Sequence, residues 1–253
     1  VEYDGTTYHG WQRQDNVYSV QAELESAISQ VANHAVEIVC AGRTDKGVHA
    51  LQQVIHFDTA AIRSDYGWLM GVNRYLPSSI KVCWIRQVAT DFHARFSATA
   101  RRYAYVLFCQ TTRPGVMRDY VTWVPKKPDI IAMREAATFF LGKHDFTSFR
   151  GKDCQAKTTI RTISQLDIVD KSPLLVIDIK ANAFLHNMVR NIAGTLLTVG
   201  HGYRPPSWVQ QVIAARDRTA ASMTAPATGL HFLGVDYPEC FNIPPLPAFI
   251  WFK

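Results

Sequence analysis

The chain has 253 residues, 47% of them hydrophobic, and a formal net charge of +6. That length accommodates two domains of about 100 to 150 residues, and that apolar content excludes a disordered protein. Five scattered cysteines (Cys40, Cys83, Cys109, Cys154, Cys240) with no Cys-x-x-Cys pair argue against a disulfide framework or a zinc site, and no run approaches the ~18 apolar residues of a membrane helix, so a soluble protein of the reducing cytoplasm is expected.

In chain order, Val1-Glu2-Tyr3 already reads as strand, so a few residues are expected ahead of it, and no charged leader with an apolar segment is seen. Ser19 is placed to cap a helix whose apolar positions Val20, Leu24, Ala27, Ile28 and Val31 fall at helical spacing. Glu37-Ile38-Val39-Cys40 is a short β-branched run. Strand-like alternation follows over residues 53–57 and 80–88, with a helix over 65–75 between them that ends before Pro77. The pattern then recurs. A strand is predicted over 101–108, a helix through Ala132, Ala136, Phe139 and Phe140 ending near Gly142, and strands over 159–169 and 174–181. Helices over 185–199 and 207–216 precede a last strand over 230–237. The fold class is therefore α+β. No low-complexity linker divides the chain, and a change in charge near residue 98 sets the expected domains at 1–98 and 99–253, with a cleft between them as the natural site.

That change in charge is large. Residues 99–161 hold twelve Lys and Arg against five Asp and Glu, so the middle of the chain carries the whole positive excess. Tyr103, Tyr105, Trp123, Phe146 and Phe149 are interleaved with it. Such a surface is either a solubilising basic face or a surface for nucleic acid, and cations mixed with stacking rings favour the second.

The most pointed motif is Ala41-Gly42-Arg43-Thr44-Asp45-Lys46-Gly47-Val48-His49-Ala50. Gly42 and Gly47 admit backbone angles that other residues resist. Arg43 and Lys46 favour the ionised form of Asp45, and an ionised carboxylate serves as a nucleophile or a base. The plainer alternative is a turn in which Asp45 caps a backbone amide.

Along 185–199, Leu185, Met188, Val189, Ile192, Leu196 and Val199 form one stripe, which puts His186, Asn187, Arg190 and Asn191 on the other faces. Arg190 is then either a solvated surface residue or a cation lining a cleft and pairing with a buried anion.

Taken together, these motifs resemble those of the tRNA pseudouridine synthase A family. They are Asp45 in its decapeptide, the strand Arg101-Arg102-Tyr103-Ala104-Tyr105 and Phe184-Leu185-His186-Asn187-Met188-Val189-Arg190-Asn191. Glu2-Tyr3-Asp4-Gly5, Gly10-Trp11-Gln12-Arg13-Gln14 and Ala227-Thr228-Gly229-Leu230 belong to the same set, in the same order, across nearly the whole chain. The resemblance implies two ferredoxin-like or RRM-like α+β domains with antiparallel sheets. It implies isomerisation of uridine to pseudouridine at positions 38 to 40 of the tRNA anticodon arm, without a cofactor or metal, by a homodimer. The absence of a Walker loop, a dinucleotide fingerprint and a metal-ligand cluster agrees with this.

By the same resemblance Asp45 is the catalytic carboxylate, Tyr103 stacks on the target base and Arg190 pairs with the aspartate. Arg43 takes the place of the extruded base, Leu230 walls the pocket, and Arg101 and Arg102 bind substrate. His49 and Lys46 are expected as backbone or phosphate contacts. Two other classes are weighed against this. A non-catalytic RNA-binding protein gives no reason for an Asp in a cationic site, and a zinc base deaminase needs a His-x-Glu with Pro-Cys-x-x-Cys that this sequence lacks.

Overall fold

The computed structural model describes residues 1–245, in which five α-helices accompany eleven strands. The chain folds as two compact units, the first formed by Val1–Thr99 with residues 232–245 and the second by Ala100–His231. This division differs from a cut at residue 98 in one respect: the last strand begins in the second unit and continues as part of the first.

In the first unit, β1 (Glu2–Tyr3) lies between β3 (His49–Ala50) and β5 (Ile80–Lys81), antiparallel to both, with Tyr3 opposite Ala50 and Ile80. The far side of β3 meets β11 (Leu230–Asp236), where the Leu51 amide donates to the Phe232 carbonyl at 2.9 Å. A separate antiparallel pair joins β2 (Val39–Cys40) to β4 (Ile55–His56). Helix α1 (Val20–Ala32) begins where Ser19 accepts the Ala22 amide, and it buries Val20, Leu24, Ala27 and Ile28 as its spacing predicts. Helix α2 (Asp65–Tyr75) is capped by Ser64 and packs on α1, with Gly71 close enough to Val31 that a β-carbon there would meet its methyl groups at 3.0 Å.

The strands of this unit are much shorter than the alternation predicts. After Lys81 the chain stops pairing because the Asn73 side chain takes over its backbone: Asn73 Oδ1 accepts the Val82 amide and Nδ2 donates to the Val82 carbonyl, both at 2.9 Å. A side-chain amide that mimics a strand partner ends a ladder without leaving polar groups unpaired.

The second unit is built on longer strands. β6 (Ala100–Cys109) pairs with β10 (Leu174–Ala181), and β10 with β9 (Ile160–Lys171), all antiparallel; β8 (Gly142–Asp145) closes the far edge against β9. Short β7 (Thr122–Val124) runs parallel to β6. Neither β7 nor β8 is foreseen by the alternation.

Register puts Tyr103, Tyr105 and Leu107 of β6 on one face with Ile179, Ile177 and Leu175 of β10 and with Leu166 and Ile168 of β9. All are buried, and α3 (Ile130–Thr138) and α4 (Met188–Gly200) pack among them. Helix α5 (Trp208–Ala215) buries Val209 and Val212.

Two expectations are corrected here. Tyr105, Phe146 and Phe149 are fully buried, so they build the core and do not stack on bases; an aromatic residue between cations in sequence points to the opposite face of a strand as readily as to the same one. Asn191 is also fully buried, donating to the Phe149 carbonyl at 2.8 Å and accepting from Thr224 Oγ1 and Arg218 Nη2. Helix α4 is thus enclosed almost all round. Gly194 permits this on one side, where a β-carbon would sit 2.1 Å from the Met223 carbonyl oxygen.

On the opposite face of β6, Arg102 forms a two-pronged ion pair with Asp178, Nε to Oδ1 at 2.8 Å and Nη2 to Oδ2 at 2.5 Å. The Asp178 side chain is 4% exposed. Removing one member of such a pair strands a desolvated charge, so Arg102→Ala should lower stability by about 3 kcal/mol in urea unfolding. Arg102→Lys should recover only part of it, because an ammonium cannot reproduce the fork.

Candidate active site

The loop carrying Asp45 is fixed at both ends and pressed from one side. It leaves β2 with the Ala41 amide donating to the Val54 carbonyl at 2.9 Å. Gly42 is then clasped by the buried Gln53 side chain, which donates to the Gly42 carbonyl at 2.6 Å and accepts its amide at 3.4 Å. Thr44 is buried; its hydroxyl meets the Tyr3 hydroxyl at 2.7 Å and its carbonyl accepts the Trp11 amide at 3.0 Å. The Asp45 carbonyl accepts the Val48 amide at 3.1 Å, a turn for which Gly47 adopts φ +77°. The chain then enters β3 at His49.

Residues 3–11 supply the pressure. A β-carbon on Gly5 would lie 2.0 Å from the Val48 oxygen, and one on Gly10, itself at φ +97°, 2.8 Å from the Thr44 oxygen. His49 is buried and its Nδ1 accepts the Gly5 amide at 3.1 Å, which makes it a backbone contact of this brace. Asp45 is half-buried between exposed Arg43 and Lys46, and Lys46 Nζ lies 3.2 Å from His9 Nε2. Burial pushes the Cys40 thiol up to about 11, against the opposing charges of Arg43 and Arg95, so it stays neutral at the foot of the loop.

The second unit holds the other expected residues. Tyr103 is 8% exposed on β6, its ring edge-on to Phe184 at 5.1 Å. Its neighbour Tyr105 bonds Thr122 Oγ1 at 2.6 Å and the Pro226 carbonyl at 2.8 Å, and burial pushes its phenol far above the usual range. Arg190 is not a loose surface side chain. Its Nε donates to the Ala225 carbonyl at 2.8 Å and its Nη1 to Asn187 Oδ1 at 2.9 Å, where Asn187 is the left-handed residue that opens α4. That left-handed residue also starts the helix three residues later than the apolar stripe predicts. Leu230 is buried. Arg101 donates to the Asn182 carbonyl at 3.0 Å, while Arg102 is engaged by Asp178.

The first unit thus gathers Arg43, Asp45, Lys46 and His49, and the second Arg101, Arg102, Tyr103, Arg190 and Leu230. The braces Tyr3, Gly5, Gly10, Thr44 and Gln53 have no role in the sequence reading. Their signal was present in Glu2-Tyr3-Asp4-Gly5 and Gly10-Trp11, two glycine-containing motifs with no catalytic group of their own. Among the described residues, no three or more His, Cys, Asp or Glu are grouped to hold a metal ion, and no helix is long and apolar enough to cross a membrane.

Comparison with known proteins bears directly on this arrangement. The sequence model of a tRNA pseudouridine synthase family matches residues 1–97 and 136–238. The tRNA pseudouridine synthase A of Pseudoalteromonas atlantica is 51% identical over 246 residues, covering 97% of this chain and 94% of that protein. Those of Salmonella arizonae and of an Enterobacter species are 51% and 50% identical over 247 residues, 98% of this chain and 92% of theirs in each case. An isomerase class is thereby defined. The chain belongs to the tRNA pseudouridine synthase family.

The brace makes a prediction about the loop alone. Gly10→Ala should cost on the order of 1–3 kcal/mol through its positive φ and its contact with Thr44, and Gly5→Ala more, because backbone must move. Gly115→Ala, with nothing within 4 Å of the added carbon, should stay within about 0.5 kcal/mol. Thermal unfolding of the three variants checks this.

Proposed function

We propose that this protein isomerises uridine to pseudouridine in tRNA, at positions 38 to 40 of the anticodon stem-loop, with Asp45 as the catalytic group. The observation that carries the reading is the near full-length identity to tRNA pseudouridine synthases A, together with an Asp45 loop whose backbone is fixed on both sides. A catalytic carboxylate has to be held within a fraction of an ångström of its productive position, and a braced loop does that.

The reaction breaks the bond from N1 to C1′, turns the uracil and joins C5 to C1′. The C5 hydrogen leaves as a proton and N1 gains one, so the change is redox-neutral. Asp45 acts either by attack on C1′ or by removing a sugar proton to give a glycal. Tyr103 stacks on the extruded base, and base–aromatic stacking contributes roughly 1–3 kcal/mol. Phe184 packs edge-on against the Tyr103 ring at 5.1 Å, supporting it from one side.

Arg190 supplies the counter-charge to the Asp45 carboxylate in the working enzyme; within its own unit its guanidinium is held by Ala225 and Asn187. Arg43, exposed beside Asp45, fills the space left by the extruded base, a step that offsets a flipping cost of a few kcal/mol. Leu230 is an apolar wall, and Arg101 a substrate contact. Arg102 acts through its pairing with Asp178, setting β6 and so Tyr103. The working form is a homodimer in the cytoplasm.

Tritium release from tRNA labelled at uridine C5 tests the reading. Asp45→Asn should bring release to background while tRNA binding stays within a few-fold of the native protein; release by both, or by neither, would remove Asp45 or the activity. Tyr103→Phe preserves stacking. If the hydroxyl moves the C5 proton, its rate should fall about 100-fold, whereas an unchanged rate assigns the residue to stacking alone.

A further inference from the structure

Outside every residue assigned so far, the first unit presents an aromatic ring to solvent on a rigid mount. Residues 89–98 form neither helix nor strand, yet they are tightly held. Phe92 is the anchor: it is buried, with its ring centroid 6.1 Å from that of His56, 5.1 Å from Tyr237 and 5.2 Å from Phe241. Ala94 is bonded on both sides, its amide to His56 Nδ1 at 3.1 Å and its carbonyl to the Tyr237 hydroxyl at 2.6 Å. The turn that follows closes on His93. Its Nδ1 accepts the amides of Arg95 and Phe96, its carbonyl accepts the Ser97 amide, and its own amide donates to Ser97 Oγ.

The outcome of this clamp is Phe96, 75% exposed, stacked on the His93 ring at 4.2 Å and 28°. The exposed Arg95 guanidinium lies over the Phe96 ring, 5.6 Å from its centre. A single exposed Phe is ordinary. One held flat against an imidazole, beside a cation, is a different object, because its conformational entropy has already been lost before any partner arrives. The location also matters. Ala94 is bonded to His56 of β4, which pairs with Val39 of β2, the strand from which the Asp45 loop leaves.

We propose that His93, Phe96 and Arg95 form a second stacking platform, which takes an unpaired nucleobase of the tRNA anticodon loop, one neighbouring the target uridine, with Arg95 meeting its phosphate. A planar ring and a guanidinium plane are the two surfaces on which splayed RNA bases stack. The role is one of positioning: it fixes the loop while Asp45 acts on another nucleotide. The proposal rests on the reading of this chain as a tRNA-modifying enzyme.

The test measures binding of an anticodon stem-loop by the Asp45→Asn protein, and KM for tRNA in the otherwise native protein, with Phe96→Leu and Phe96→Trp. Loss of the π face in Phe96→Leu should weaken binding and raise KM about ten-fold or more, with the loss in KM rather than kcat, and Phe96→Trp should restore both. Stem-loops made abasic at each unpaired position in turn should show one position where Phe96→Leu has no further effect. Melting temperatures should be close for all three proteins, since the ring is exposed.

Native-like binding by Phe96→Leu overturns the platform, as does a loss that neither Trp restores nor any abasic position absorbs. A change in oligomeric mass with tRNA affinity intact assigns Phe96 to a protein contact and overturns it too. If the native protein releases no tritium but still binds the stem-loop through Phe96, the isomerisation reading fails and the platform stands.

Discussion

The approach of residues 3–11 to residues 44–48 is the constraint on which the candidate site depends. Main chain meets main chain so closely at Gly5 against Val48 and at Gly10 against Thr44 that no side chain fits at either point. Hydrogen bonds from Tyr3, Trp11 and Gly5 to Thr44 and His49 then lock the two segments in register. None of these residues touches the carboxylate chemistry in the proposed reaction. They determine where Asp45 stands, and a loop with only its own turn to hold it would explore several positions at the same cost.

The second unit solves a comparable problem with different means. Long antiparallel strands provide a stiff floor, and α4, buried on nearly every side, provides a fixed wall. Tyr103 projects from the floor and Arg190 from the start of the wall. Each is supported by a neighbour, Phe184 for the ring and Asn187 with Ala225 for the guanidinium. A buried ion pair such as Arg102–Asp178 is weak evidence for net stability, but it penalises any shift of β6 against β10, because a one-residue slip would separate the charges.

The α+β class, the five helices and the long strands β6, β9 and β10 were legible in the sequence, because helical spacing and caps such as Ser19 act locally. The short strands β1, β2, β4 and β5 were foreseen in place but not in length, and β3, β7 and β8 were not foreseen. Just past the ends of β2 and β5, the Gln53 and Asn73 side chains pair the backbone of Gly42 and Val82 in place of a strand partner, contacts that alternation does not show. Asn191 was placed on the wrong side of its helix for a related reason: periodicity assumes one buried face, and α4 has several. Asp45, Tyr103 and Arg190 stood out through motif resemblance, whereas their supports did not, since a glycine at a close approach looks in sequence like a glycine in any turn.

The path of the last strand has a consequence for synthesis. Domains generally fold as the chain emerges, N-terminal part first. Here the strand that pairs with β3 through Phe232 is made about 180 residues after the Asp45 loop it lies beside, and the whole second unit intervenes. A nascent chain that has only reached residue 99 therefore has an open sheet edge where β11 belongs. The first unit closes only once β11 has been made, so a ribosome-bound fragment that bears Asp45 and stops short of it remains an incomplete fold.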